Sequence, residues 1–219
     1  MLPRDKVRLV DKWIDDLNPP RNQKHPYLRS FCKGGFDVGD TRDGIASYTW
    51  EAWTDGGTIS IRNIQTTMTY RVLKDINITE ISVAFDRNLN LFIAYKSGNT
   101  SKLWTGINGS LTGAVIVELE DANSPRVALD DNRPIIGSKS DIIFAYVLNS
   151  TLYCRYQRDQ FFVERKLNAL SENTFLHRIG MGNDYRFLFL LKKKKGERGD
   201  KIAYDGTVKA DGTYRFLWP

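Results

Sequence analysis

Ala84-Phe85-Asp86, Phe92-Ile93-Ala94-Tyr95, Lys102-Leu103-Trp104 and Val117-Glu118-Leu119 follow one another, and the same order returns as Ala128-Leu129-Asp130, Ile143-Phe144-Ala145-Tyr146, Thr151-Leu152-Tyr153 and Val163-Glu164. Ala84 and Ala128 lie 44 positions apart, Ala94 and Ala145 lie 51 apart, Leu103 and Leu152 lie 49 apart, and Val117 and Val163 lie 46 apart. An insertion around Pro134 to Ser140 accounts for the spread. Each run is short, rich in β-branched and aromatic residues, and bounded by turn residues, which is the mark of a strand. A unit of three or four such strands, roughly 40 to 50 residues long, has the size of a propeller blade.

The same order fits twice more. Before the pair come Tyr48 to Trp53, Thr58 to Ile61 and Thr69 to Val72. After it come Ile179 to Met181, Phe187 to Leu190, Lys201 to Tyr204 and Tyr214 to Leu217. Asp55-Gly56-Gly57 between two of the early strands is a strong hairpin signal. A further strand is expected over Gln160 to Lys166. One such sheet cannot bury both faces alone, whereas sheets packed face to face can. The expected fold is therefore all-β: about four antiparallel sheet repeats in a small, β-propeller-like array over residues 44–219. Two packed sheets, or a partial propeller completed by another subunit, are the alternatives.

Residues 1–43 read differently. From Asp5 to Leu17 the apolar positions are Val7, Leu9, Val10, Trp13, Ile14 and Leu17, mostly in steps of three and four. That spacing predicts an N-terminal amphipathic helix. Asn18-Pro19-Pro20 ends it, because a residue before proline avoids helical backbone. The helix has two possible seats, its own domain or another subunit, with Val10, Trp13, Ile14 and Leu17 as the contact stripe. A connector rich in Pro, Gly and charge follows to residue 43.

The chain has 41% hydrophobic and 26% charged residues, ordinary values for a globular domain rather than a disordered one. The formal charge of +6 has a local source in Lys192 to Lys195, placed as a solvated hairpin tip. No nucleic-acid-binding motif accompanies it, so nucleic acid is not an expected partner. Cys32 and Cys154 form neither a disulfide framework nor a zinc site, and both are read as free thiols. The sequons at Asn77, Asn99, Asn108 and Asn149 are read as turn chemistry. No membrane span and no secretory leader are read, so synthesis in a cytoplasm is expected.

Catalysis needs a constellation of groups. His25 and His177 have no second ligand at metal spacing, and no nucleophile elbow, phosphate loop or zinc motif occurs. The carboxylates Asp86, Asp130, Asp131, Asp159 and Glu164 are the candidates for a glycosidase pair. Asp86 and Asp130 hold equivalent repeat positions just after a strand, which favours turn capping. No catalytic residue, cofactor or metal is expected. One cluster is a candidate interface: Tyr153, Arg155, Gln157 and Arg158, since Arg and Tyr are typical interface anchors. Cross-strand pairing of its arginines with carboxylates is the competing reading. The functional expectation is a non-enzymatic binding or assembly protein. The alternatives are a glycan- or receptor-binding module using Trp50, Trp53 and Trp104, and a small glycoside-active enzyme.

The stretch Ser124 to Pro134, then Ser140 to Val147, then Leu152 to Asp159 resembles blade-like β repeats in virion tail proteins of tailed bacteriophages. The resemblance covers about residues 44–170. It implies a structural component of a phage tail or connector region, located in the virion, homo-oligomeric, and partnered by other tail subunits.

Overall fold

The computed structural model describes residues 28–33, 49–86, 88, 90–106, 111–130, 141–172, 174–181, 187–193, 201–208 and 214–217. The segment expected to be helical, with Val10, Trp13, Ile14 and Leu17, lies outside the described residues.

Sixteen described strands form four antiparallel sheets, each built from four consecutive strands in chain order. The first sheet holds β1 (Arg29–Lys33), β2 (Thr49–Thr54), β3 (Thr58–Asn63) and β4 (Thr69–Lys74). The second holds β5 (Ile78–Phe85), β6 (Leu91–Ser97), β7 (Thr100–Gly106) and β8 (Gly113–Glu120). The third holds β9 (Asn123–Asp130), β10 (Asp141–Leu148), β11 (Thr151–Tyr156) and β12 (Arg165–Ala169). The fourth holds β13 (Thr174–Met181), β14 (Phe187–Lys193), β15 (Lys201–Val208) and β16 (Tyr214–Leu217). The fold is thus all-β and propeller-like, with the two clear repeats as its second and third sheets.

Three cores alternate with the four sheets. Trp50, Ala52, Ile59 and Ile61 meet Ile81, Val83, Phe85 and Ile93 between the first and second sheets. Ala84, Phe92, Ala94 and Leu103 meet Val127, Ile142, Phe144 and Tyr146 between the second and third. Ile143, Ala145, Cys154 and Tyr156 meet Leu176, Ile179, Phe187 and Phe189 between the third and fourth. This series excludes the two-sheet alternative. It also explains why β10 is apolar on both faces: successive side chains point to opposite cores, and both faces are buried.

Two expectations are corrected. The β-rich part begins before residue 44, because β1 lies inside the supposed connector and pairs with β2 from Arg29↔Trp53 to Lys33↔Thr49. The strand expected over Gln160 to Lys166 is a turn, and β12 starts only at Arg165. The hairpin at Asp55 is as read. Its Oδ1 accepts the Gly57 and Thr58 amides at 2.9 and 2.7 Å, and these bonds hold the carboxyl below its usual range. Asn77 and Asn149 have left-handed backbone in exposed turns, which fits the reading of their sequons as turn chemistry. At the start of β8 only glycine fits: a Cβ on Gly113 would stand 2.0 Å from Thr105 O and 2.4 Å from the Trp104 ring.

β1 lies against β5, β5 against β9, and β9 against β13, so the first strand of each sheet runs along the inside of the array. One side chain ties each step. The Val83 amide donates to Ser30 Oγ at 3.1 Å. The Val127 amide donates to Ser82 Oγ at 3.1 Å, and that hydroxyl lies 3.3 Å from Val127 O. Arg126 Nε donates to His177 O at 2.8 Å. Ser82 and Arg126 are 44 positions apart, the same offset as Ala84 and Ala128, so these ties are one repeated device. Among the described residues no comparable packing joins β13 back to β1.

Strand direction sorts the connections into two ends. The turn of residues 157–164, which joins β11 to β12, lies at one end, and the short turns at Asp55, Gly98 and Asn149 lie at the other. Of the Lys192 to Lys195 run, Lys192 is exposed, while Lys194 and Lys195 lie outside the described residues.

Candidate interaction surface

β11 ends in a tight reversal, at the end of the array opposite the short turns at Asp55, Gly98 and Asn149. Gln157–Asp159 forms one 3-10 turn, and Gln160 and Phe161 then both take left-handed backbone, with φ of 50° and 60°. Neither is Gly or Asn, so the pair is costly, of order 1 kcal/mol each or more. The surroundings hold it there. The Gln160, Phe161 and Phe162 amides donate to Gln157 O, Tyr156 O and Asp159 O at 2.8, 3.0 and 3.0 Å. Arg155 Nη1 donates to Phe161 O at 3.1 Å.

The reversal drives Phe161 inward and Phe162 outward. Phe161 is 3% exposed and lies in the second core, 5.9 Å from the Phe92 ring. Phe162 is 77% exposed and Val163 is 48% exposed. The turn thus presents two adjacent apolar side chains to solvent, which makes it the candidate contact surface.

The expected interface residues are placed as supports of this turn. Tyr153 stacks on Tyr146 at 5.9 Å and packs on the second core. Arg155 donates to Tyr146 Oη at 3.0 Å and pairs with Glu164 at 3.2 Å, and Tyr146 Oη also bonds Glu164. Burial, together with the Glu164 carboxylate, pushes the Tyr146 hydroxyl well above its usual range. Gln157 reaches the neighbouring sheet: its Nε2 donates to Asp86 Oδ2 at 2.8 Å, and its Oε1 accepts the Ile142 amide at 3.3 Å. Arg158 pairs with the buried Asp141 at 2.6 Å and lies 4.6 Å from the Tyr156 ring, whose centroid is also 4.8 Å from Arg165. Among these only Arg158 is broadly exposed. The cluster singled out in the sequence ends where this turn begins, and the exposed apolar tip falls within the strand expected over Gln160 to Lys166.

Of the acids considered as a catalytic pair, Asp86, Asp159 and Glu164 make structural hydrogen bonds or ion pairs. Asp86 Oδ1 accepts the Asn88 and Asn90 amides at 2.8 Å each, closing the β5–β6 turn as its repeat position implies. Asp159 pairs with Arg165, and Glu164 with Arg155. Asp130 is buried, while Asp131 and His25 lie outside the described residues. Trp50 and Trp104 are each 4% exposed, so two of the three tryptophans proposed to read a glycan are core residues. Trp53 is half-buried, with Arg62 6.0 Å from its ring. Cys154 is fully buried and its thiol is pushed up to about 12 by burial; Cys32 is also pushed up by burial. Among the described residues no group of three His, Cys, Asp or Glu side chains could hold a metal, and no helix is long and apolar enough to cross a membrane.

Burial raises the Asp141 carboxyl, and Arg158 opposes that shift. A carboxyl whose native pKa lies above its unfolded value binds its proton more tightly when folded. Its contribution therefore falls as pH rises from about 4 and levels off above the native pKa. Removing Arg158 should extend that fall to higher pH. Between pH 3 and 8 the urea midpoint should fall further for Arg158→Ala than for wild type, and the double change with Asp141→Asn should lack the Asp141-linked fall altogether.

No family model and no curated protein matches the chain. It is similar to a solved structure of an oligogalacturonate lyase in complex with manganese, at 12% identity and a TM-score of 0.44, over 77% of this chain and 50% of that one. It is also similar to an auxiliary nutrient binding protein from Bacteroides thetaiotaomicron VPI-5482, at 11% identity and a TM-score of 0.44, over 71% of this chain and 45% of that one. The chain thus spans about half the length of each solved structure.

Proposed function

We propose that this protein is a non-enzymatic assembly component that joins copies of itself and neighbouring subunits through the β11–β12 turn. The observation that carries the reading is the turn itself: costly backbone, dense support, and Phe162 and Val163 turned to solvent. Apolar residues on a rigid tip contribute to binding without a large ordering cost. The tail or connector region of a phage virion is the setting implied by the resemblance of residues 44–170 to tail proteins. That setting rests on the resemblance alone.

Light scattering coupled to size-exclusion chromatography tests the assembly step. The full chain should run as a discrete multiple of 25.1 kDa. Phe162→Asp should reduce it to the monomer, with a urea midpoint equal to that of the wild type at a dilution where it too is monomeric. A wild-type chain that stays monomeric up to high micromolar concentration overturns self-assembly. An oligomer indifferent to Phe162→Asp overturns the role of the turn.

A further inference from the structure

The β11–β12 turn is apolar at its tip and basic around it. Asp159 is bound by Arg165 and Glu164 by Arg155, so both of its acids are matched within the turn. Lys166 is exposed, and Arg158 keeps 56% of its side chain exposed although it holds Asp141. A partner for this tip must offer apolar area beside negative charge. Three further large hydrophobic side chains are exposed among the described residues: Met68, Ile76 and Ile116. Met68 precedes exposed Arg71, and Ile76 follows exposed Lys74 and an Asp75 carboxylate already held by Lys102 and Tyr95. Ile116 has acids instead: Glu118, Glu120 and Asp121 are all exposed. Lys102 stands 3.8 Å from Glu118 but is bound more closely, at 2.9 Å, to Asp75.

The local structure explains why Ile116 is outside. The cross-strand register jumps from Leu103↔Val117 to Trp104↔Val115, so Ile116 is the extra residue of a β-bulge and has no partner on β7. Val117 lies in the second core and Val115 packs on the first, while Ile116 is 43% exposed. β8 is the outer strand of its sheet, and a bulge on an edge strand opposes pairing with an added strand. Contacts at this edge therefore run through side chains. We propose that the β11–β12 turn of one copy seats on the outer edge of β8 in a second copy. Phe162 and Val163 lie against Ile116, and Lys166 faces Glu118 and Glu120. The inference rests on the assembly reading above and names the surface that receives the turn. A turn-to-turn contact would instead set Arg158 and Lys166 of both copies together. Turn and edge are different patches on different sheets, so the contact is heterologous. Copies joined this way close into a ring or continue as a filament.

Mixing two full-length variants tests this by light scattering coupled to size-exclusion chromatography. Phe162→Asp keeps the edge and loses the turn, whereas Ile116→Asp keeps the turn and loses the edge. Each alone should be monomeric, with the urea midpoint of wild type at a dilution where all are monomeric. An equimolar mixture should give a heterodimer of two 25.1 kDa chains and nothing larger, because one intact turn meets one intact edge. Glu118→Lys with Glu120→Lys leaves the apolar contact in place and removes only the charge match. As the edge variant, that chain should bind the Ile116→Asp chain's opposite number, Phe162→Asp, at least tenfold more weakly than wild-type edge binds wild-type turn. Ile116→Asp that assembles like wild type, a mixture that stays monomeric, or indifference to the charge reversal overturns the receiving edge and leaves the role of the turn standing. A monomeric wild type, or Phe162→Asp that still assembles, overturns the assembly reading and this inference with it.

Discussion

Phe161→Ala should destabilise the monomer by about 3–5 kcal/mol, and Phe162→Ala by less than about 0.5 kcal/mol, both read at a dilution where the wild type is monomeric. The two residues are chemically identical neighbours, so the contrast isolates the geometry of the turn. Phe161 fills the space between the second and third sheets, against Phe92 and near Val127, Phe144 and Tyr146. Alanine there leaves a cavity lined by residues that β-sheet hydrogen bonds hold in place, so collapse is limited. Left-handed backbone at Phe161 costs alanine about as much as phenylalanine, which makes the cavity the main term. Phe162 touches little and loses little. Urea denaturation of both variants, compared at constant m, measures the difference. Equal losses at the two positions would mean that the reversal at Gln160 is wrong, and with it the contact surface.

The repeat was legible because each unit obeys one burial rule. Ala84 and Ala128, or Leu103 and Leu152, occupy matching sites between sheets, and matching sites select matching residues. β1 was not legible for the opposite reason. Arg29-Ser30-Phe31-Cys32-Lys33 is brief, carries a cation at each end, and sits between Pro26 and Gly34. What makes it a strand is its pairing with β2 and the tie from Ser30 to Val83, both long-range. The turn after β11 failed locally as well. Gln160 and Phe161 carry no turn signature, and alternation through Phe161, Val163 and Arg165 imitates a strand. Tertiary support from Arg155 and the second core overrides that local preference. The arginines of the cluster were recognised as important by type, but residue type does not say whether a guanidinium faces a partner or holds its own chain. Here Arg155 and Arg158 hold their own chain.

The inner strands carry the second large effect. Arg126 is 4% exposed and serves three groups: Nε donates to His177 O at 2.8 Å, and Nη1 to Pro125 O at 2.7 Å and to the Glu80 carboxylate at 2.8 Å. One side chain on β9 thus joins β5 to β13. The two preceding steps need only the hydroxyls of Ser30 and Ser82, so the third has put a buried charge where the others use a neutral donor. Arg126→Met should cost about 3–5 kcal/mol, because it strands Glu80 and leaves two carbonyls short of a donor. Arg126→Lys should recover only part of this, since one ammonium cannot reproduce the fork. The decisive variant is Arg126→Met with Glu80→Met. Removing both charges takes away the desolvation cost along with the attraction, so the double change should be far milder than the single one. A double-mutant cycle by urea denaturation reads this as a coupling of at least about 1.5 kcal/mol. A coupling near zero would mean that Arg126 acts through the backbone carbonyls alone, and that the guanidinium stands at the third step only because it reaches further than serine.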